Sequence, residues 1–264
     1  MNEHYPSPLL DLGRYAFFFD FDGTLAEIQP RPELVFISGA LHASLDRLAA
    51  HCPVAVISGR PLAQLDEFLD PLRLPCAGVH GVERRTAQGE VQQLPLDHAQ
   101  LERIERELTA ACAPYPALLL ESKGVSFALH FRQAPELAEV ARALADEFVA
   151  RYLDVLALQP GKCVFELKPK GASKGEVIRR FMQEPPFNQR MPVFLGDDLT
   201  DEAGFAAVNA MGGLSIKVGE GQSAAQKRLA SVSAVGTWLA AVLAMQGQDL
   251  GLNDNRDYDY GESR

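Results

Sequence analysis

Asp20 and Asp22 stand two residues apart at the end of an apolar run, Ala16-Phe17-Phe18-Phe19, and Gly23-Thr24 follow at once. Along a strand, side chains at i and i+2 leave the same face, so the two carboxylates emerge together where a buried strand runs out. Gly23 permits the turn that comes next. A carboxylate pair so placed is costly unless something positive lies between its members, which calls for a metal ion and an anionic substrate. Read alone, the segment could equally be a strand ending in a polar Asp-Gly turn.

Further groups stand at comparable places. Ser58 follows the run Val54-Ala55-Val56-Ile57, Lys174 opens a helical pattern, and Gly196-Asp197-Asp198 with Asp201 follow Val193-Phe194-Leu195. Their types match phosphoryl transfer. A carboxylate can take the phosphoryl group as an aspartyl-phosphate and split one hard step into two. Mg²⁺, held by hard oxygen ligands, would neutralise charge and orient the phosphate. A lysine ammonium and a hydroxyl can hold the remaining oxygens. Each part also has a plainer reading. Ser58, before Gly59-Arg60-Pro61, could be a helix N-cap, and Asp197, Asp198, Asp201 and Glu202 could be ordinary acidic residues at a helix N-terminus. Lys174 sits at the unfavourable end of its helix dipole, which favours a functional role.

Positioning these groups requires strands that end together. Strand and helix patterns alternate along the chain, which predicts an α/β fold with a mainly parallel sheet, and ligands of such sheets gather at the carboxyl ends of strands. Helices are expected with Leu41, Leu45 and Leu48 on one stripe and with Leu62, Leu65 and Leu69 on another, the second beginning at Pro61. After Cys76–Val79 the texture changes. Val82–Leu94 reads as a hairpin turning near Gln88-Gly89. Helices near 97–113 and 135–151 are each followed by two strands, at 118–121 and 125–131, then at 155–159 and 163–167. Simple alternation resumes at Ser173. The expected division is a first core segment over 1–85, an α+β insert over 86–169, a second core segment over 170–250, and a disordered tail over 251–264.

Twenty-five basic against 35 acidic residues give a formal charge of −10, which disfavours nucleic acid and anionic membranes as partners. The four cysteines, Cys52, Cys76, Cys112 and Cys163, are scattered and form no C-x-x-C pair. Free thiols are therefore expected rather than disulfides or a zinc site. No run approaches the roughly 20 apolar residues of a membrane span, and the first residues lack the pattern of a secretory signal. A soluble, cytoplasmic protein is expected; the sequence leaves its oligomeric state open, with a monomer favoured.

In combination, Asp20-Phe21-Asp22-Gly23-Thr24, Ser58, Lys174 and Gly196-Asp197-Asp198 resemble the motif set of the haloacid-dehalogenase-type phosphatases. The resemblance implies a Rossmann-like core, with Asp20 as nucleophile and Asp22 as general acid and then base. Ser58, Gly59 and Lys174 would bind phosphate. Asp197, Asp20 and the backbone carbonyl of Asp22 would hold Mg²⁺, while Asp198 and Asp201 would hold ligand waters or orient the lysine. The insert occupies the place of a C2-type cap, which would close over the cleft and exclude water.

A narrower resemblance is to trehalose-6-phosphate phosphatases. It is carried by Val56–Arg60, Gly78–Glu83, Glu121–Gly124, Ala128–Arg132, Gly161–Pro169, Lys170–Gly175 and Gly196–Glu202. It implies a phosphorylated disaccharide as substrate, with Glu121, Arg132, Lys162 and Glu166 on its hydroxyls and His80, Gly81 and Glu83 near the junction of cap and core. Without that likeness, the insert's charges would read as a solvated face. Another sugar phosphate, such as sucrose 6-phosphate, and a phosphoacceptor signalling domain are the competing readings.

Overall fold

Phe17, Phe18 and Phe19 lie in the first strand, β1 (Tyr15–Phe19), and none of the three is exposed to solvent. Their side chains alternate between two cores. Phe17 and Phe19 join one apolar cluster, whereas Ala16 and Phe18 join another on the opposite face. A strand apolar on both faces is what a sheet covered by helices on both sides demands. The computed structural model describes residues 6–7, 9–29, 34–122, 124–161 and 163–249. The tail expected over 251–264 lies outside them.

The first half of the core follows the alternation read from the sequence. It comprises α1 (Gly39–His51), β2 (Val54–Ile57), α2 (Leu62–Leu69) and β3 (Cys76–Gly78). Pro61 is the N-cap of α2 rather than its first helical residue. The second half comprises α5 (Lys174–Phe181), β10 (Met191–Gly196), α6 (Glu202–Ala210), β11 (Leu214–Val218), β12 (Lys227–Leu229) and α7 (Val232–Asp249). Helices α1, α2 and α7 supply Leu45, Leu65 and Trp238 to the cluster under Phe17 and Phe19. Helices α5 and α6 supply Phe181 and Phe205 to the cluster under Phe18. Each such side chain contributes about 1.5–3 kcal/mol by leaving water.

Between the halves come β4 (Glu83–Arg85), β5 (Val91–Gln93), α3 (His98–Cys112), β6 (Leu119–Ser122), β7 (Phe127–His130), α4 (Ala138–Arg151), β8 (Leu156–Gly161) and β9 (Val164–Pro169). Two sheets result. The larger runs β12-β11-β10-β1-β2-β3-β4-β5, and the smaller β6-β7-β9-β8. From β12 to β3 the neighbours are parallel; β4 and β5 are antiparallel additions at the edge. The hairpin expected to open the insert thus completes the core sheet, because Cys76, Ala77 and Gly78 pair with Arg85, Arg84 and Glu83. The sequence pattern also held no strand at β12, which has only three residues.

The smaller sheet is antiparallel and two-faced. Phe127, Leu129, Leu156 and Leu167 turn toward Leu101, Ile104 and Leu108 of α3 and Phe148 of α4. Alternate residues, among them Ser126, Glu166 and Lys168, leave the other face. All four cysteines are free, and burial pushes the thiols of Cys52 and Cys76 up to about 12. No helix among the described residues is long and apolar enough to cross a membrane.

Helices α5 and α6 approach closely at Gly175, where a Cβ would stand 2.3 Å from the carbonyl oxygen of Ala203. That backbone cannot yield without moving the helix. Gly175→Ala is therefore expected to destabilise by about 1–3 kcal/mol, although alanine is intrinsically the better helix former. Equilibrium urea unfolding measures the difference; a stabilised variant would refute the close packing.

Candidate active site

Strands β1 and β10 lie side by side in register, Phe19 opposite Leu195, so the residues that follow them emerge at one edge of the sheet. Asp20 N–H donates to the carbonyl of Leu195 at 2.9 Å, which fixes the start of the loop. Across it, Asp201 accepts the N–H groups of Asp197 and Asp198 on Oδ2 at 2.9 and 3.0 Å. Its other oxygen faces Lys174, the first residue of α5. Lys174 Nζ stands 2.7 Å from Asp201 Oδ1 and 2.8 Å from Asp20 Oδ1. Ser173 caps α5 by accepting from Glu176 N–H at 3.1 Å.

Lys174 and Asp201 are almost entirely enclosed, at 2% and 0% exposure. Burial alone would lower the ammonium's pKa, but Asp20 and Asp201 more than reverse this and hold it charged. The acids pay for sharing one cation. Burial, then Asp201 nearby, raises Asp20 well above the usual carboxylate range. Burial, then Asp201 and Asp198, pushes Asp197 up to about 6. Asp201 is raised by burial despite Lys174. Asp198 is also penalised by burial, yet Lys174 and the N–H and hydroxyl of Thr200 bring it below its ordinary value.

Asp20, Asp197, Asp198 and Asp201 each offer a carboxylate oxygen, all within 4.8 Å of one another. Four hard oxygen donors with too little positive charge among them fit a divalent cation of the Mg²⁺ or Ca²⁺ type. Gly23 makes the cluster possible. It has φ 75°, and a Cβ there would fall 2.1 Å from Asp197 Oδ2.

The Asp22 side chain does not join the cluster. Both its oxygens are held by Arg60, with Nε to Oδ2 and Nη2 to Oδ1 each at 2.7 Å. Ser58, at the end of β2, is buried, and its Oγ accepts the N–H of Arg60 at 3.1 Å. Because Pro61 caps α2, Ser58 is not the helix cap. Gly59 lies against the imidazole of His80. His80 adopts a left-handed conformation, φ 54° and ψ 24°, and donates its N–H to the carbonyl of Ser58 at 2.9 Å. Its Nδ1 is buried and has no partner among the described residues, and burial, reinforced by Lys174, lowers its pKa to about 4. Gly81 follows with φ 102°. Glu83 is occupied locally: its Oε1 accepts the N–H of Leu62 at 2.6 Å and steadies the start of α2.

On the smaller sheet, Glu121 Oε2 accepts from His130 Nε2 at 2.8 Å. Glu166 accepts the Ser126 hydroxyl at 3.4 Å. Arg132 is exposed beyond β7, and Lys162 lies outside the described residues. Lys168, absent from the sequence-derived set, is buried beside Glu166 and donates to Gln159 Oε1. Burial lowers its pKa. Both Glu166 and Lys168 act electrostatically on His80, so this face looks onto the core turn that carries His80. Gln159, Pro160 and Lys168 line a cleft of about 320 Å³ with Leu199, Thr200 and Ala203 of the core. The period-2 rule applied from Glu166 reaches Lys168; no comparable pattern reaches Arg60.

A profile of the trehalose-phosphatase family matches residues 18–235. The trehalose-6-phosphate phosphatase of Escherichia coli K12 is 46% identical over 248 residues, covering 93% of each chain. Among solved structures, an Aspergillus fumigatus trehalose-6-phosphate phosphatase superposes with a TM-score of 0.74, covering 91% of this chain and 100% of that one at 24% identity. A Bacteroides thetaiotaomicron phosphatase of the haloalkanoate (HAD) superfamily gives 0.62, covering 92% and 99% at 17% identity. At such identities these two speak for the fold.

The His80 imidazole supplies a pH test. Its folded pKa of about 4 lies below the ordinary 6.5, so acid protonates it in the unfolded chain first. Its contribution is present above pH 6.5 and is lost as pH falls toward 4. His80→Asn, chosen because asparagine tolerates left-handed backbone, should lose less stability than the parent between pH 7 and 4.5. Melting temperatures across that range decide it, and parallel curves would refute the assignment.

Proposed function

The chain belongs to the trehalose-phosphatase family, and on that footing we propose that it hydrolyses trehalose 6-phosphate to trehalose and inorganic phosphate as a divalent-metal-dependent phosphoric monoester hydrolase. The observation that supports this most is the Asp20–Lys174–Asp201 bridge set inside a carboxylate cluster where β1 and β10 end together.

In the first step, a carboxylate oxygen of Asp20 attacks phosphorus and the bond from phosphorus to the sugar oxygen breaks. Asp22 donates a proton to that leaving oxygen. In the second step, Asp22 takes a proton from water, the water oxygen attacks phosphorus, and the aspartyl-phosphate bond opens to restore Asp20. Lys174, the Ser58 hydroxyl and the N–H of Gly59 hold the remaining phosphoryl oxygens. Lys174 also fixes the attacking carboxylate, because the same ammonium bonds Asp20 Oδ1. Mg²⁺, held by Asp20, Asp197 and the Asp22 carbonyl, with Asp198 and Asp201 behind, would neutralise phosphoryl charge.

The unit running from α3 to β9 is the cap, and its polar face is the sugar-binding wall. Glu121, Arg132, Lys162 and Glu166 supply the donors and acceptors that a neutral, hydroxyl-rich disaccharide needs. His80 and Gly81 stand where that wall meets the core. Glu83 acts there through the α2 terminus it bonds.

Asp20→Asn is expected to lower turnover of trehalose 6-phosphate by at least about 10³-fold while the protein stays folded, as phosphate release and circular dichroism would report. Retained turnover would remove Asp20 from its role. EDTA should abolish activity and excess Mg²⁺ restore it. Sucrose 6-phosphate and glucose 6-phosphate, assayed beside trehalose 6-phosphate, should be turned over more slowly; a clear preference for either would displace trehalose 6-phosphate as the substrate.

A further inference from the structure

We propose that Arg60 is the positioning residue for Asp22, setting the orientation from which this carboxylate moves protons. The inference rests on the acid–base reading of Asp22. The contact is fork to fork, with two N–H groups 2.7 Å from two carboxylate oxygens. Its setting sets it apart from an ordinary surface ion pair, which is worth little because two long side chains must be immobilised to make it. Here the Arg60 side chain is only 13% exposed. Its guanidinium carbon lies 5.0 Å from the ring centroid of Phe68 and 5.6 Å from that of Phe21. Those rings pack on each other at 5.1 Å, and Phe21 is fully buried between the two aspartates in sequence. Nη1 is tied to Gln64 Oε1 at 3.3 Å. The arginine is therefore held on three sides before it meets Asp22.

Asp22 needs such a restraint. Asp22 follows Asp20 by two residues, and a Cβ on the next residue, Gly23, would fall 2.1 Å from Asp197 Oδ2, so the loop that carries Asp22 runs beside other carboxylates. An arginine that cannot give up its own proton supplies opposing charge without competing for the one being transferred. The same residue donates its backbone N–H to Ser58 Oγ. One turn of chain thus orients both the phosphate-binding hydroxyl and the proton-transfer carboxylate. Lysine could supply the charge but not the planar two-donor geometry.

The test compares two substrates, trehalose 6-phosphate and an aryl phosphate whose leaving group departs without a proton, both with Mg²⁺ present. For Arg60→Met, kcat on trehalose 6-phosphate should fall at least about tenfold with KM changed less than about threefold. First-turnover release of the aryl alcohol should stay within about twofold of the parent. Asp22→Asn should give the same pattern, more deeply. Equal losses on both substrates would mean a general defect of fold or phosphate site, and would overturn the proposal. A raised KM with kcat kept would make Arg60 a substrate ligand, and unchanged kinetics would make the contact idle; either overturns it too. If Asp22→Asn itself keeps full turnover, or loses aryl release, the acid–base reading fails first. Should Arg60→Met fail to fold, Arg60→Lys is measured instead, and it must show the same split.

Discussion

One buried ammonium organises this molecule. Lys174 lies within 2.8 Å of two carboxylates that stand on different elements, Asp20 after β1 and Asp201 at the start of the α6 turn. Withdrawing a cation from water is costly, and the interaction recovers that cost only when geometry is tight and other bonds complete the network. The rest of the core meets that condition. The in-register pairing of β1 with β10 sets Asp20 beside Asp197, the Asp201 carboxylate ties down two backbone amides, and the Gly175 contact brings the start of α5 against α6. Even so, the four clustered acids outnumber the lysine. Their formal charge exceeds the lysine's by three, with Asp20 and Asp201 buried, Asp197 half-buried and Asp198 exposed. Burial first, and the neighbouring acids second, raise the pKa values of Asp20 and Asp197. The fold is thus built around a shortage of positive charge.

The two sheets divide the work in a way their residue patterns explain. The central strands of the large sheet, β1, β2 and β10, are apolar on both faces and offer chemistry where they end. The small sheet is apolar on one face alone, leaving the other for Glu121, Ser126, Glu166 and Lys168. In the proposed function, reaction type belongs to the first arrangement and substrate choice to the second. His80 stands between them, biased by groups from both sides.

Much of this was legible in the sequence because the signals were local. Three phenylalanines before Asp20, four apolar residues before Ser58, and the leucine stripes of α1 and α2 each announce their element without help from elsewhere. The hairpin of β4 and β5 was legible as a hairpin but not as part of the core. Alternation within two short strands says nothing about which third strand they join, and Cys76–Gly78 settled that by pairing. Three-residue β12 has too little pattern to be seen. The motif around Glu83 marks the junction of cap and core, but it does not reveal that its carboxylate bonds a helix amide 21 positions away. Arg60 escaped for a related reason, since its partner, Asp22, is 38 positions off and only the folded sheet brings them together.

The route of the chain through the small sheet has a mechanical meaning. It enters from β5, the outermost strand of the large sheet, and leaves through β9, whose last residue, Pro169, precedes Lys174 by five positions. One tether is anchored at the periphery and the other at the electrostatic centre. The entry thus stands four strands from β1, whereas the exit lies five residues from the lysine that bonds Asp20 and Asp201. Transplanting this unit onto another scaffold would therefore have to keep the exit segment short, while the entry at the rim could take added length at small entropic cost.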